Sequence, residues 1–507
     1  MPLSFPSDGP TRQFVGFPYK KAENRRYSHR SCNILSMRFI ASGALLILLG
    51  GTLVVPNAPL ADWPGFRGPD MSGLALGARL PERWSATEGV RWAVDVPGQG
   101  WSSPIVARGI VYLTSAISKR PFKQPTPGIY GNDYIAELRA AGLSNAEVNK
   151  RLRARDNELP EESDAIRYMV YAFDARTGAL RWEREAYHGL PIGGRHRKNT
   201  YASETPFTDG ERLYVSFGLN IGLFCYSLDG TLLWKRTWPP HPIYLDFGTG
   251  SSPVAHAGRV YLLQDSERES YLAALDASTG ADVWRVPRPE KSTFNRTSSW
   301  STPLVWKSSV RTEIVTTGHG FIQSYDLDGK ELWRLARVGM PLASPVAAGD
   351  LLIVGTGAQE GDAARPVFAI NAGARGDITL SGTATSNEYV VWSHPRASGY
   401  TPSPIVHQGR VYLVHDTGTM LVLAANTGKE IYRARVGGVG HTFSASPIAT
   451  ATRLYFPDEE GVTIVLGAGD SYNEISQNDL GAMMLASPAV SGNTLFLRTE
   501  KKLYRIE

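Results

Sequence analysis

Eight times along the chain a Ser-Pro or Thr-Pro step opens an apolar stretch, at Pro104, Pro206, Pro253, Pro303, Pro345, Pro404, Pro447 and Pro488. Several copies share nearly one text: SSPIVARGIVYL from Ser102, SSPVAHAGRVYLL from Ser251 and PSPIVHQGRVYLV from Pro402, with weaker versions from Ala445 and Ala486. Each reads as strand, turn, strand. From Pro206 onward the steps are 47, 50, 42, 59, 43 and 41 residues apart, the period at which a four-stranded propeller blade repeats. A repeat of this kind overrides the several separate domains that a length of 507 residues would otherwise suggest.

The second half of each unit supplies two more strands. YAFDARTGALRW ends at Trp182, FCYSLDGTLLW at Trp234, LAALDASTGADVW at Trp284, QSYDLDGKELW at Trp333 and LVLAANTGKEIY at Tyr432. Asp-Gly and Thr-Gly provide the positive backbone angle of a tight hairpin, and these aromatics, with Trp392, are placed to dock neighbouring blades. After Pro488 only three strands remain before Glu507. The fourth is GVRWAVDVPG, from Gly89 to Gly98, with Trp92 at the docking position. The expected fold is all-β: an eight-bladed propeller of four-stranded antiparallel blades, the last closed by an N-terminal strand, over residues 62–507. Seven blades is the competing count, if the irregular copy at Pro447 is not a blade. Closure pairs an edge that would otherwise stand open.

Seven basic residues against two acidic ones precede Asp62, so the net +5 belongs to that stretch and the remainder carries 46 of each sign. A basic footprint for nucleic acid is absent from it. Phe39 to Val55 is an uncharged apolar run preceded by Arg38 and followed by PNAPLADW. Residues 37–61 therefore read as a signal peptide, with Met37 the start and residues 1–36 a miscalled or disordered extension. The alternative is an uncleaved anchor, about 17 residues against the roughly 20 that a spanning helix needs, and only through it would the protein meet a membrane. The location expected is periplasmic or secreted, and the state monomeric. Cys32 and Cys225 are the two cysteines, so no disulfide, lipobox, CxxCH or thiolate metal cluster arises in residues 62–507. Cys225, in an apolar strand, reads as a buried small hydrophobe.

LDASTGADVW and FDARTGALRW resemble the pyrroloquinoline-quinone-type propeller repeat, the family of quinoprotein alcohol dehydrogenases and the outer-membrane assembly lipoprotein BamB. DWPGFRGPDMSG at Asp62 and KNTYASETPFTDGERLYVSFGLNIGLFCYSLDG from Lys198 resemble a secreted bacterial group of unassigned activity. In the dehydrogenases the resemblance implies a quinone (PQQ) between a tryptophan and adjacent cysteines, with calcium and a catalytic aspartate. This chain has no adjacent cysteines, so neither cofactor nor metal is expected. Asp265, Glu267 and Glu269 offer oxygen ligands for a hard cation, but as one exposed loop they read better as a solvated rim.

Strand order puts the short turns ARG, HQGR, DARTG and LDG on one face, and the long second-to-third and inter-blade connections on the other. Binding residues concentrate on such loops, so the elaborated face is the expected site. Residues ahead of each step are expected to face the channel: Trp101, Tyr201, Glu204, Thr249, Trp300, Tyr400, His441 and Phe443, with His319 from a second-to-third connection. Arg195, His196, Arg197, Lys198 and Asn199 add a dense basic cluster. Aromatic faces beside cationic donors suit a polar or anionic ligand. The insertion from Ser118 to Arg167 carries a capping-box spacing at Ser144 and Glu147 and an apolar stripe of Leu143, Val148 and Leu152. It reads either as a lid on the channel or as a decoration of blade one. No catalytic set is identifiable. Two functions stand: a binding or assembly scaffold for an envelope protein, polar small molecule or glycan, and a quinone-dependent oxidoreductase or other enzyme acting on alcohols, sugars or polysaccharides.

Overall fold

The computed structural model describes residues 62–119, 133–288, 296–336, 338–357 and 364–507. The expected signal peptide, residues 37–61, and the residues before it lie outside the described residues. Among the described residues no helix is long and apolar enough to cross a membrane.

Eight antiparallel sheets follow one another, seven with their strands in chain order and the last closed by the earliest strand. Blade one comprises Ile105–Ala107, Ile110–Ile117, Ile166–Asp174 and Leu180–Gly189. Blade eight comprises Ala489–Ser491, Thr494–Arg498 and Lys502–Ile506, and its fourth strand is Val90–Asp95, paired to Lys502–Ile506. The copy at Pro447 is a full blade, which settles the count at eight. One departure occurs: the connection before the last strand of blade five adds Gly376–Asp377, parallel, to the edge of blade four. First strands are largely buried and fourth strands alternate exposed with half-buried, as inner and outer strands of a blade must. The core lies between blades, where Tyr112, Tyr168 and Val170 of blade one meet Leu213, Val215 and Phe224 of blade two.

The Ser/Thr-Pro step has a physical reason. Proline opens the first strand, where its missing N–H costs no ladder bond. The hydroxyl before it bridges blades: Ser103 N donates to Thr205 Oγ1 (3.0 Å), Thr205 N to Ser252 Oγ (2.9 Å) and Ser252 N to Thr302 Oγ1 (3.1 Å). The chain of bonds continues through Ser344, Ser403, Ser446 and Ser487 at 2.9 to 3.0 Å. At the junction of blades eight and one, buried Arg498 donates to Ser102 O (2.9 Å), Ser102 Oγ (2.6 Å) and Thr114 O (2.7 Å). Ser252→Ala removes the acceptor of a buried N–H and is expected to cost about 1–3 kcal/mol, with Ser252→Thr restoring it. Urea unfolding followed by circular dichroism checks this, and a loss under about 0.5 kcal/mol would contradict it.

The tryptophans dock on the next blade. Nε1 of Trp92, Trp182, Trp234, Trp284 and Trp392 donates to Ala175 O, Leu228 O, Ala277 O, Leu327 O and Ala425 O, at 2.8 to 3.3 Å. Each ring lies on the glycine of that turn; a Cβ on Gly280 would stand 2.6 Å from Trp234. Trp333 is the exception, bonding instead to Glu313 of its own blade (3.2 Å) beneath the borrowed fifth strand. Tyr432 is half-buried among the contacts of blades six and seven.

Residues 62–82 cross the short-turn face. Trp63 exchanges hydrogen bonds with Val106, Thr208 N donates to Pro64 O, Arg67 Nη2 to Pro404 O (2.7 Å), and Ala449 N to Gly73 O. The strap thus reaches from blade one to blade seven and carries Phe66 into the wall of the central channel.

Candidate functional site

The channel is a cavity of about 570 Å³. All eight step residues line it, from Ser103 to Ser487, a ring of hydroxyls. Where the oxygen accepts an inter-blade N–H, the hydroxyl proton and a second lone pair remain for a guest. Phe66 enters from the strap; apart from it, the side chains above the ring come from the elaborated face, as connections between blades or between second and third strands: Trp101, Phe247, Trp300, Met340 and Tyr400 give an apolar wall. Trp300 is fixed by Nε1 to Gly248 O (2.8 Å).

Of the expected residues, Trp101, His196, Lys198, Asn199, Trp300 and Tyr400 line the cavity, with Thr249. The others stand elsewhere: Arg197 lines neither this cavity nor its neighbour, and Phe443 is buried among the contacts of blades six and seven. Arg195 is buried behind the wall, donating to Asn199 O and Gln99 Oε1. Tyr201 lines a separate cavity, because the 200–205 turn sends it to the other side. Glu204 is fully buried, which pushes its carboxyl up to about 7. His319 is buried in the second-to-third turn of blade four. His441 is drawn aside by Asp458, 2.5 Å from its Nδ1.

The basic cluster does not present free charge. Lys198 Nζ meets buried Glu459 of blade seven at 2.8 Å, and Arg197 meets Asp156 at 3.2 Å. Burial and the neighbouring Arg197, Lys198 and Arg195 charges lower His196 to about 3, so it stays neutral, its ring edge-on to Phe247. Asn199 spends its amide on Phe247 O and Thr249 O (both 3.0 Å). Sequence reading missed Arg365 and Asp416, which line the cavity as an ion pair (2.8 Å) joining blades five and six, with Arg365 above the Tyr400 ring. It also missed Phe66, Phe247 and Met340. The loops GAQEGDAARP and HDTGT carry the two charges, but only tertiary structure brings them together.

The insertion forms helices α1, Asp133–Ala140, and α2, Asn145–Asn157, the second capped by Ser144 Oγ accepting Glu147 N. Ile135, Leu138, Val148 and Leu152 make its small core. It does not touch blade one alone, as the decoration reading had it, and its residues 120–132 lie outside the described residues. Among the described residues none of the insertion lines the channel, yet Asp156 accepts Arg195 N (3.0 Å), pairs with Arg197, and α2 packs on the turn Tyr244–Asp246. It buttresses the connections on both sides of blade two.

The acidic loop is a solvated rim only in part, since Glu269 is exposed and Glu267 half-buried. Asp265 is buried against Arg288 (2.9 Å), Glu267 accepts from Ser298 N and Oγ, and Glu269 meets Arg285 and His241. The three carboxylates diverge because each has its own partner. Among the described residues no cluster of three or more His, Cys, Asp or Glu side chains is arranged to hold a metal. Cys225 is fully buried in blade two, its thiol pushed up to about 12 by burial.

The family model of the outer membrane protein assembly factor BamB matches residues 166–305 and 224–389. The crystal structure of BamB from Moraxella catarrhalis aligns at 14% identity and TM-score 0.47, over 69% of this chain and 94% of that one. Quinohemoprotein alcohol dehydrogenase from Comamonas testosteroni aligns at 12% identity and TM-score 0.50, over 88% of this chain and 80% of that one. No curated protein matches the sequence. Such identities speak for the fold alone, since one fold hosts many chemistries. The eight closed blades show a β-propeller, and over residues 166–389 its repeats are similar to those of the BamB family, of the pyrroloquinoline-quinone type.

Proposed function

We propose that the protein is an exported, periplasmic or secreted binding module whose channel takes a neutral polar ligand of polyhydroxy type, such as a glycan end. One observation carries the reading: a cavity of about 570 Å³ combines aromatic walls with a hydroxyl ring, while Lys198 and Arg365 are already neutralised by Glu459 and Asp416. Stacked aromatics take the apolar faces of such a ligand, and hydroxyls and paired polar groups take its oxygens. The anionic ligand that the basic cluster suggested is replaced, because an anion would have to compete with two carboxylates already in place. The same elaborated face is available to an envelope protein partner, the kind of role that the matched family's name describes.

Pyrroloquinoline quinone does not fit these residues. It carries three carboxylates, and the cations at the mouth are occupied; Cys225 is solitary and buried. We therefore place the oxidoreductase reading second.

Intrinsic tryptophan fluorescence, titrated with neutral oligosaccharides and with their uronic-acid counterparts, tests the proposal. The neutral series is expected to bind, with Trp300→Ala weakening it about tenfold or more, roughly 1.4 kcal/mol, and Trp300→Phe retaining most of it. Preference for the acidic series, unchanged binding in Trp300→Ala, or dye reduction by alcohols after loading with quinone and calcium would overturn it.

A further inference from the structure

A second cavity, of about 270 Å³, lies between the connections that flank blade two, and we propose that it is a site for a small organic ammonium cation. Tyr168, Tyr201 and Phe217 supply aromatic rings, and Pro191, Pro242 and Ile243 an apolar rim. Asp246 is the one carboxylate in the wall, and among the described residues no lysine or arginine lines it. Nor does Asp246 form an ion pair among the described residues. This is the reverse of the channel, whose one lining carboxylate among the described residues, Asp416, meets Arg365. Arg195 stands behind the Tyr201 ring, 5.5 Å from its centroid, and lines neither cavity.

The carboxylate is held rather than free. Leu245 and Asp246 take left-handed backbone angles (φ 49° and 58°), fixed by Asp246 N to Ile243 O (2.9 Å), Tyr244 N to Ser298 Oγ (2.9 Å) and the packing of α2. Gly193 makes the close approach possible, because a Cβ there would lie 2.6 Å from Asp246 Oδ1. Two further wall residues carry buried polar atoms with no protein partner, Tyr168 Oη and His241 Nδ1. His241 Nε2 lies 3.2 Å from Glu269; with the proton on that nitrogen, Nδ1 is left as an acceptor. One uncompensated carboxylate, aromatic faces and spare acceptors in a single enclosure favour a cation over a neutral or anionic guest. The proposal is independent of what the channel binds.

The test titrates the full chain with choline and with its neutral carbon isostere, 3,3-dimethylbutan-1-ol, by calorimetry. Choline is expected to bind at least about tenfold more tightly than the isostere. Asp246→Asn, which keeps the shape and loses the charge, should remove that preference. Equal affinity for the two probes, undiminished choline binding in Asp246→Asn, or no choline binding at millimolar concentration each overturns the proposal.

Discussion

Trp392→Ala is expected to lower the unfolding free energy by about 3–5 kcal/mol, the range for deleting a large aromatic from a packed site. The ring is 5% exposed, Nε1 donates to Ala425 O at 2.8 Å, and one face lies on Gly428, whose φ of 69° and missing Cβ let the next blade's turn come within contact. Truncation opens a void at an interface that rigid sheets cannot close, and it leaves a carbonyl unpaired. Trp392→Phe keeps most of the ring and loses the hydrogen bond, for an expected cost of about 1–2 kcal/mol. Urea unfolding followed by circular dichroism measures both. If alanine costs no more than phenylalanine, the residue is not a dock between blades.

The architecture was legible because a propeller writes its rule into every repeat. A step residue, a turn glycine and a docking aromatic recur at fixed offsets, and each corresponds to one contact with the next blade. Ser252 bonds Thr205 exactly as Ser446 bonds Ser403. The departures are places where one blade borrows from another. Trp333 was expected to dock like its counterparts, but Gly376–Asp377, 43 residues further on, cover its edge, and it turns to Glu313.

The site was only half legible, for a related reason. Strand order identifies which residues approach the axis, and so Trp101, Trp300 and Tyr400 are found. Charge compensation is invisible to it: Lys198 and Glu459 lie 261 residues apart, and a basic run read alone looks like an anion site. The strap of residues 62–82 escaped as well. DWPGFRGPDMSG has no periodicity, because its hydrogen bonds go to different blades in turn, and nothing in its local pattern announces that Phe66 enters the channel.

The channel and the second cavity share a wall at Thr249, and the buried carboxyl of Glu204 lies beside it. Burial raises this group from its ordinary 4.5 to about 7, against hydrogen bonds from Thr249 and the backbone that pull the other way. Below about pH 4.5 the carboxyl is neutral whether the chain is folded or not, and burial carries no charge penalty. As pH rises towards 7 the unfolded chain releases the proton while the folded one retains it, so stability falls across that window and levels off above it. The shift corresponds to about 3 kcal/mol. Glu204→Gln has the same shape and no titration. It is expected to match the parent near pH 4 and to exceed it by up to about 3 kcal/mol at pH 8, read as the difference between the two proteins so that other titrating groups cancel. A difference that stays constant from pH 4 to pH 8 would show that Glu204 is solvated in the native state, and the wall between the two cavities would then be wet.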